Sequence, residues 1–249
     1  MTGRTHLVLA ALCAALVVAA PGTPPRAEPQ ECAVPAELTQ MNESLDHLAA
    51  RLDAEQKATI VAIGGASILG TAAGSADLAV PHRLEVALEP LFPRASLRVV
   101  NKGVARQSAH QMLERFPTDV VAEDPALVVW EVGITDAVRG TSVDDFTASL
   151  QSGIDQLKNR AIDIILVDMQ FSRSTVTVID FERYLKALHR IGDINELYVY
   201  PRFEAMRYWS EQNMFNFDEV SADERARLAA RVYDCIGRQL AQAIRRAVR

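Results

Sequence analysis

The chain has 249 residues, of which 49% are hydrophobic and 23% are charged, and its formal net charge is −6 at pH 7. This length allows one domain with a full hydrophobic core. An acidic chain of this kind lacks the basic surface that attracts nucleic acid or anionic lipid, so we expect neither as a partner.

The first 27 residues have the layout of a secretory signal peptide. Arg4 precedes an uncharged apolar run over residues 7–20, and prolines and a plausible cleavage point after Ala27 follow. Fourteen helical residues span about 21 Å, which is short of a hydrocarbon core of about 30 Å. We therefore expect removal of residues 1–27, a periplasmic or secreted protein, and no stable membrane span after processing. Retention of the segment as an anchor is the alternative.

The cysteines that remain after this processing predict a disulfide. Cys13 leaves with the signal, whereas Cys32 and Cys235 stay. Removal also takes away Arg4 and Arg26 but no acidic residue, so the net charge falls from −6 to −8. An even number of cysteines in an oxidising compartment predicts a Cys32–Cys235 bridge, with two unrelated thiols as the alternative.

Residues 28–249 alternate between predicted strands and predicted helices, beginning with an amphipathic helix over 36–56. This alternation, with its continuous apolar strands, predicts a three-layer α/β/α sandwich around a parallel sheet of about five strands. No linker or repeat interrupts the pattern, so we expect a single domain. The predicted strands are 58–63, 96–100, 126–132, 161–169 and 197–200, and the later helices begin near 81, 108 and 142 or cover 178–190, 201–212 and 222–247.

The carboxyl ends of parallel strands are where such sheets bind ligands. The first strand runs into a glycine turn in the stretch IVAIGGASILG, residues 60–70. A strand that ends in such a turn often presents a nucleophile, and Ser67 lies in this turn directly after Ala66. The sequence has no Gly-x-Gly-x-x-Gly after this strand, no phosphate-loop lysine and no His-Glu-x-x-His, so we expect no cofactor and no metal.

Four short blocks, IVAIGGASILG, NKGVARQS, VGITD and FDEVS, resemble the SGNH, or GDSL, hydrolases in order and spacing. The resemblance covers essentially all of residues 36–247 and implies an SGNH-hydrolase, flavodoxin-like fold. In that family a serine attacks an ester carbonyl. The serine amide, a glycine amide and an asparagine side chain form the oxyanion hole. An Asp-x-x-His pair near the C-terminus supplies the orienting carboxylate and the base.

The first block can be placed on the family pattern Gly-Asp-Ser-x-Thr-x-Gly in two registers. Gly64 and Gly70 have the separation of the two family glycines. This register puts Gly65 at the aspartate position and Ala66 at the serine position, with Ser67 one residue late. A register that begins at Gly65 makes Ser67 the nucleophile but shortens the glycine spacing. We expect the first register and keep Ser67 as the alternative nucleophile.

The middle blocks resemble the family's oxyanion hole in part. Asn101 and Gly103 match its Asn-x-Gly, so the resemblance implies that the Gly103 amide faces the reacting carbonyl, although Gly103 also ends the second strand. Arg106 stands where a further glycine is common. Thr135 replaces the oxyanion asparagine ahead of Asp136, and a threonine hydroxyl is shorter than an amide.

The last block lacks the histidine base. Asp218 matches the aspartate of Asp-x-x-His, but Ser221 stands at the histidine position, and no histidine follows His189 in the sequence. Ser221 and Glu224 form a typical helix capping box, which explains both residues structurally. Of the remaining histidines, His110 is the only candidate base near the strand ends, but we expect it to be a partly exposed residue on a helix that leads away from the site. We expect His47 on the polar side of an amphipathic helix, and His82 and His189 at the surface or rim.

These departures predict a pseudoenzyme: an exported SGNH-like protein that has lost classical ester hydrolysis and binds a carbohydrate, an acylated envelope component or a protein partner. One alternative is an active ester hydrolase or acyltransferase with a non-standard site built on Ser67. Another is a structural domain whose cleft is filled. An open pocket of several hundred Å³ lined by Gly65, Gly103 and Thr135 would favour binding.

Overall fold

The computed structural model describes residues 32–54, 57–217 and 221–248. The predicted signal peptide, residues 1–27, lies outside them. The described residues contain five parallel strands in the order β2-β1-β3-β4-β5. The strand bounds are β1 Ala58–Gly64, β2 Leu97–Gly103, β3 Leu127–Glu131, β4 Asp163–Val167 and β5 Tyr198–Tyr200. This is the predicted parallel sheet, with the strand order of a flavodoxin-like fold.

Helices cover both faces of the sheet, so the predicted three layers are confirmed. The long helices α1, α3, α9 and α10 pack on one face and α4, α6 and α8 on the other. The helix bounds are α1 Asp46–Asp53, α2 Ala66–Leu69, α3 Val80–Leu88, α4 Ala109–Glu114, α5 Ile134–Arg139, α6 Val143–Lys158, α7 Arg173–Val176, α8 Glu182–Ile194, α9 Arg202–Glu211 and α10 Ala222–Ala247.

The central strands are buried on both faces because their sequences are continuously apolar. Every residue of β1 and β3 is buried. Side chains alternate between the two cores: Ile60 packs with the layer that contains α10, and Val61 packs with the layer that contains α6. A parallel sheet needs this double coverage, which explains the unbroken apolar runs in the sequence.

The helix predicted over 36–56 is wrong in extent. A short 3-10 turn over Ala36–Leu38 comes first, and the α-helix begins only at Asp46. Between them the side chain of Thr39 donates to the Ala36 carbonyl, and the Asn42 amide donates to the Glu43 carboxylate. Such local hydrogen bonds compete with helical ones, although the apolar spacing of the segment still directs its side chains into the core.

A disulfide joins Cys32 to Cys235 across a sequence separation of 203 residues, as the cysteine count predicts. Both cysteines are completely buried. The Cys32 carbonyl also accepts a hydrogen bond of 2.6 Å from the Gln239 side chain on α10. The segment before α1 is therefore fixed to the last helix. Within the described ranges, no helix combines the length and the apolar character needed to cross a bilayer.

Candidate active site

A cavity of about 460 Å³ lies at the carboxyl edge of the sheet. β2 lies on one side of β1 and β3 lies on the other, so the strand order reverses between β1 and β3. At this point β1 leads to α2 and β3 leads to α5. The lining residues come from the segments that follow β1, β2, β3 and β4 and from the start of α9. They are Gly65, Ala66, Ser67, Thr71, Ala105, Arg106, Glu131, Val132, Ile134, Thr135, Val138, Arg139, Met169, Gln170 and Arg202.

The glycine turn after β1 lets α2 begin directly against β3. A Cβ added to Gly64 would lie 2.7 Å from the Cβ of Glu131, so a side chain has no room there. The turn ends at Gly70, whose φ of 93° favours glycine. Between these glycines, Ala66 is exposed to the cavity, whereas Ser67 is only 2% exposed.

Ser67 belongs to a buried polar cluster with Glu131 and Arg202, which we call the serine cluster. The Ser67 hydroxyl donates to the Glu131 carboxylate. Arg202 Nη1 donates to Ser67 Oγ over 3.1 Å and to the same carboxylate over 2.5 Å. The Gly65 amide donates to the other oxygen of Glu131 over 3.2 Å. The cluster thus connects the ends of β1 and β3 to the first residue of α9.

Within the serine cluster, the Ser67 hydroxyl is both a hydrogen-bond donor and a hydrogen-bond acceptor. The Ser67 proton points to Glu131, and a lone pair accepts from Arg202. The side chains of Arg202 and Glu131 are 4% and 5% exposed, so water screens this ion pair little. Among the described residues that line the cavity, none is a histidine. The usual imidazole base of a nucleophilic serine is therefore missing from this part of the structure.

A second buried carboxylate, Asp168, holds the start of α9. Its Oδ1 accepts from the Phe203 amide over 2.8 Å, and its Oδ2 pairs with His189 Nε2 over 3.0 Å. This hydrogen bond raises the pKa of His189 above its ordinary value. Gln170 Oε1 accepts from Arg202 Nη2 over 3.0 Å and fixes the guanidinium from the cavity side. These contacts determine where Arg202 points.

Sequence reasoning missed Glu131, Arg202 and Asp168. Two weak signals were present: Glu131 is a charge at the end of the apolar run ALVVWEV, and Arg202 directly follows the last strand and its proline. A charge at the carboxyl end of a buried strand favours a polar partner nearby. His189, assigned to the surface or rim, is half-buried against Asp168 and contributes to a separate cavity of about 270 Å³.

The residues assigned to the oxyanion hole do not all face the cavity. Thr135 lines it and is 8% exposed. Gly103 is not among the described lining residues, since a Cβ added there would lie 2.2 Å from the Leu69 amide nitrogen, and its own amide donates to Asn101 Oδ1 over 2.9 Å. Gly103 therefore serves the contact between β2 and α2.

Asp136 and Ser221 both act at helix starts. Asp136 is 1% exposed and accepts a hydrogen bond of 3.0 Å from the Ala109 amide at the beginning of α4, and burial raises its pKa. Ser221 forms the predicted capping box with Glu224 at the beginning of α10. Asp218 lies outside the described residues. His110, on α4, is 70% exposed and near Glu114.

Comparison with known proteins supports the resemblance found in the sequence. The model of the non-GDSL lipase-like family matches residues 31–249. An acetylxylan esterase of Geobacillus stearothermophilus is 29% identical over 90 residues, which are 32% of this chain and 41% of that protein. The matched segment thus spans less than half the length of that relative.

Solved structures of esterases and hydrolases share the fold. Axe2, an acetylxylan esterase from Geobacillus stearothermophilus, aligns with a TM-score of 0.61 and 18% identity over 75% of this chain and 94% of that one. LAE5, an alpha/beta hydrolase enzyme from the metagenome of Lake Arreo, Spain, aligns with a TM-score of 0.60 and 16% identity over 78% of this chain and 99% of that one. Identities this low establish a common fold and no more.

Proposed function

Because this chain belongs to the non-GDSL lipase-like family, within the SGNH/GDSL superfamily, we propose that it is an exported pseudoenzyme. It uses the cavity at the carboxyl edge of the sheet to bind a carbohydrate or an acylated envelope component, and it does not carry out classical ester hydrolysis. The alternative partner is a protein that docks on this carboxyl edge of the sheet. The mature form is a single domain over residues 28–249 that works in the periplasm or after secretion.

The observation that carries this proposal is the serine cluster. The exposed residue of the turn is Ala66, which has no nucleophilic atom, while Ser67 is buried and bonded to Glu131 and Arg202. Loss of the nucleophile or the base in a serine hydrolase costs roughly 10⁴–10⁶ in turnover, or about 5–8 kcal/mol of barrier. Backbone donors alone leave only a small residual rate over water.

The open cavity favours ligand binding over a purely structural role. Its volume of about 460 Å³ is within the usual range of small-molecule sites. Its lining combines apolar side chains such as Val132 and Val138 with polar groups such as Thr135 and Gln170. The name of the acetylxylan esterase relative supports a saccharide or its acylated form as the ligand class.

Export is supported by the disulfide and by the predicted signal peptide. Cys32 and Cys235 form a bridge, and such bridges are typical of oxidising compartments. Sequencing the N-terminus of the protein from a periplasmic or secreted fraction tests the proposal. A mature chain that starts close to Glu28 is expected, and an intact Met1 on protein recovered from the cytosol would contradict export.

An active ester hydrolase or acyltransferase built on Ser67 is the second candidate. One contact favours it: the Ser67 hydroxyl donates to a carboxylate, and Glu131 could take up its proton. The reaction would then need Ser67 to leave Arg202 and reach into the cavity. A carboxylate that is already bonded to an arginine is a weak base, which is why the binding function is preferred.

Ester hydrolysis by matched variants separates the two candidates. The mature protein, Ser67→Ala and Ser210→Ala are compared on p-nitrophenyl acetate, with Ser210 chosen because it is equally buried but lies outside the cavity. We expect all three rates to agree within about twofold. A turnover above about 1 s⁻¹ that Ser67→Ala abolishes and Ser210→Ala keeps would establish the hydrolase instead.

A further inference from the structure

We propose that the ligand of this cavity is an acidic saccharide, one that contains uronic acid, and that Arg106 and Arg139 bind its carboxylate. The inference rests on the proposed binding function and specifies the class of ligand. It starts from charge: the described lining residues include three arginines and one glutamate, on a chain whose net charge is −6. Glu131 is already paired with Arg202, so no other described lining residue is a carboxylate that could pair with Arg106 or Arg139, although Arg139 also interacts electrostatically with the buried Asp136.

Arg106 carries its charge to the cavity from a backbone conformation that most residues avoid. Its φ is 63°, in the left-handed region, which is unfavourable for a non-glycine residue. A glycine would adopt this conformation without strain. The Arg106 side chain is exposed, and among the described residues none accepts a hydrogen bond from it. Arg106 therefore carries a positive charge that is available to bind a ligand.

Arg139 is fixed on the same side of the cavity mouth. Its Nη2 donates to the Arg106 carbonyl over 2.9 Å, and its Nη1 donates to Gln111 Oε1 over 2.9 Å. A guanidinium has five N–H groups, so these two bonds orient Arg139 and leave donors for a ligand. A guanidinium group is suited to a carboxylate, which it binds with strong, charge-assisted hydrogen bonds.

The rest of the lining fits a saccharide recognised by polar groups. No aromatic residue occurs among the described lining residues, so the ring-stacking surface that often binds neutral sugars is missing from them. Thr71 and Thr135 supply hydroxyl groups, and Gln170, whose oxygen accepts from Arg202, presents its NH₂. Specificity therefore has to come from hydrogen bonds and from charge.

Isothermal titration with a matched pair of saccharides tests the inference. The probes are trigalacturonic acid and its fully methyl-esterified form, which share one skeleton and differ in charge. We expect the acid to bind about tenfold more tightly than the ester, and Arg106→Gln or Arg139→Gln to reduce this ratio about fivefold or more. Arg94→Gln is the control, since Arg94 is an exposed arginine on a different cavity. It should leave the ratio unchanged.

The outcomes distinguish this inference from the function on which it rests. Equal binding of acid and ester, or a preference for the acid that neither arginine change reduces, would overturn the inference and leave a binding protein. Failure of the acid to bind at millimolar concentration, or its displacement by an equal concentration of inorganic phosphate, would also overturn it. Hydrolysis that depends on Ser67 would refute the pseudoenzyme, while a tenfold preference for the acid would still stand.

Discussion

Replacing Arg202 by methionine should be one of the most destabilising single changes at the cavity. The substitution keeps a long, flexible side chain but removes the hydrogen bonds to Ser67, Glu131 and Gln170. It leaves the Glu131 carboxylate, 5% exposed, without its cation. Among the described residues, the Ser67 hydroxyl and the Gly65 amide are then the remaining hydrogen-bond donors to that carboxylate, and neither carries a charge.

The size of the effect follows from burial. Breaking a buried ion pair by removing one partner costs about 3–5 kcal/mol, because the other charge stays desolvated. In a chain of this length 1 kcal/mol lowers the melting temperature by about 2–4 °C, so Arg202→Met should lower it by about 6–20 °C. Replacing Glu131 by glutamine in the Arg202→Met variant removes the carboxylate charge that has lost its partner. The double variant should therefore be more stable than the sum of the single changes predicts.

Urea unfolding of the wild type, the two single variants and the double variant measures the coupling energy between Arg202 and Glu131. Arg207→Met is the control, because Arg207 lies on the same helix, is about half exposed and forms its ion pair with Glu204 at the surface. It should change the free energy of unfolding by less than about 0.5–1 kcal/mol. The reasoning would be refuted if Arg202→Met cost no more than Arg207→Met, or if Arg202→Met and Glu131→Gln were additive.

Three further predictions concern other parts of the molecule. Because pairing with Asp168 raises the pKa of His189, the stabilisation from this pair is lost as the pH rises through the raised pKa of His189; burial raises the pKa of Asp168, so protonation of that carboxyl limits the stabilisation at the acid end. His189 is 41% exposed, so His189→Gln should cost at most about 1 kcal/mol at pH 5.5 and less at pH 9, and a cost that did not change with pH would contradict this. Reduction of the Cys32–Cys235 bridge should lower the free energy of unfolding by up to about 5 kcal/mol, and identical urea midpoints before and after reduction would rule that out. Ala66→Ser alone should leave p-nitrophenyl acetate turnover within about tenfold of wild type because no base is supplied, and a gain of about 1,000-fold would show that a base is present.

The fold could be predicted because its signals are local. Each strand is an apolar run that ends in glycine or polar residues, and all five observed strands lie in or next to the predicted ranges. The short helices α2, α5 and α7 were not predicted, since four to six residues are too few for a helical period to be recognised. The first predicted helix is too long because apolar spacing alone does not reveal competing side-chain hydrogen bonds.

The candidate site could be located but not described from the sequence. The glycine turn and the strand ends indicate the correct edge of the sheet, because parallel strands share one carboxyl edge. The serine cluster depends on pairs far apart in sequence: Ser67 and Arg202 are separated by 135 residues, and Glu131 and Arg202 by 71. No periodicity or spacing reports such a contact. The ion pair appears only once the sheet places β1, β3 and the start of α9 side by side.

Whether Ser67 is a nucleophile is tested most directly by the mass of the intact, native protein after exposure to a fluorophosphonate, which labels activated serines. The wild-type mature protein should remain unmodified under conditions that label an active serine esterase completely, because the Ser67 hydroxyl is buried and bonded to Glu131 and Arg202. A stoichiometric adduct that peptide mapping places on Ser67, and that Ser67→Ala removes, would contradict the pseudoenzyme and identify a working serine.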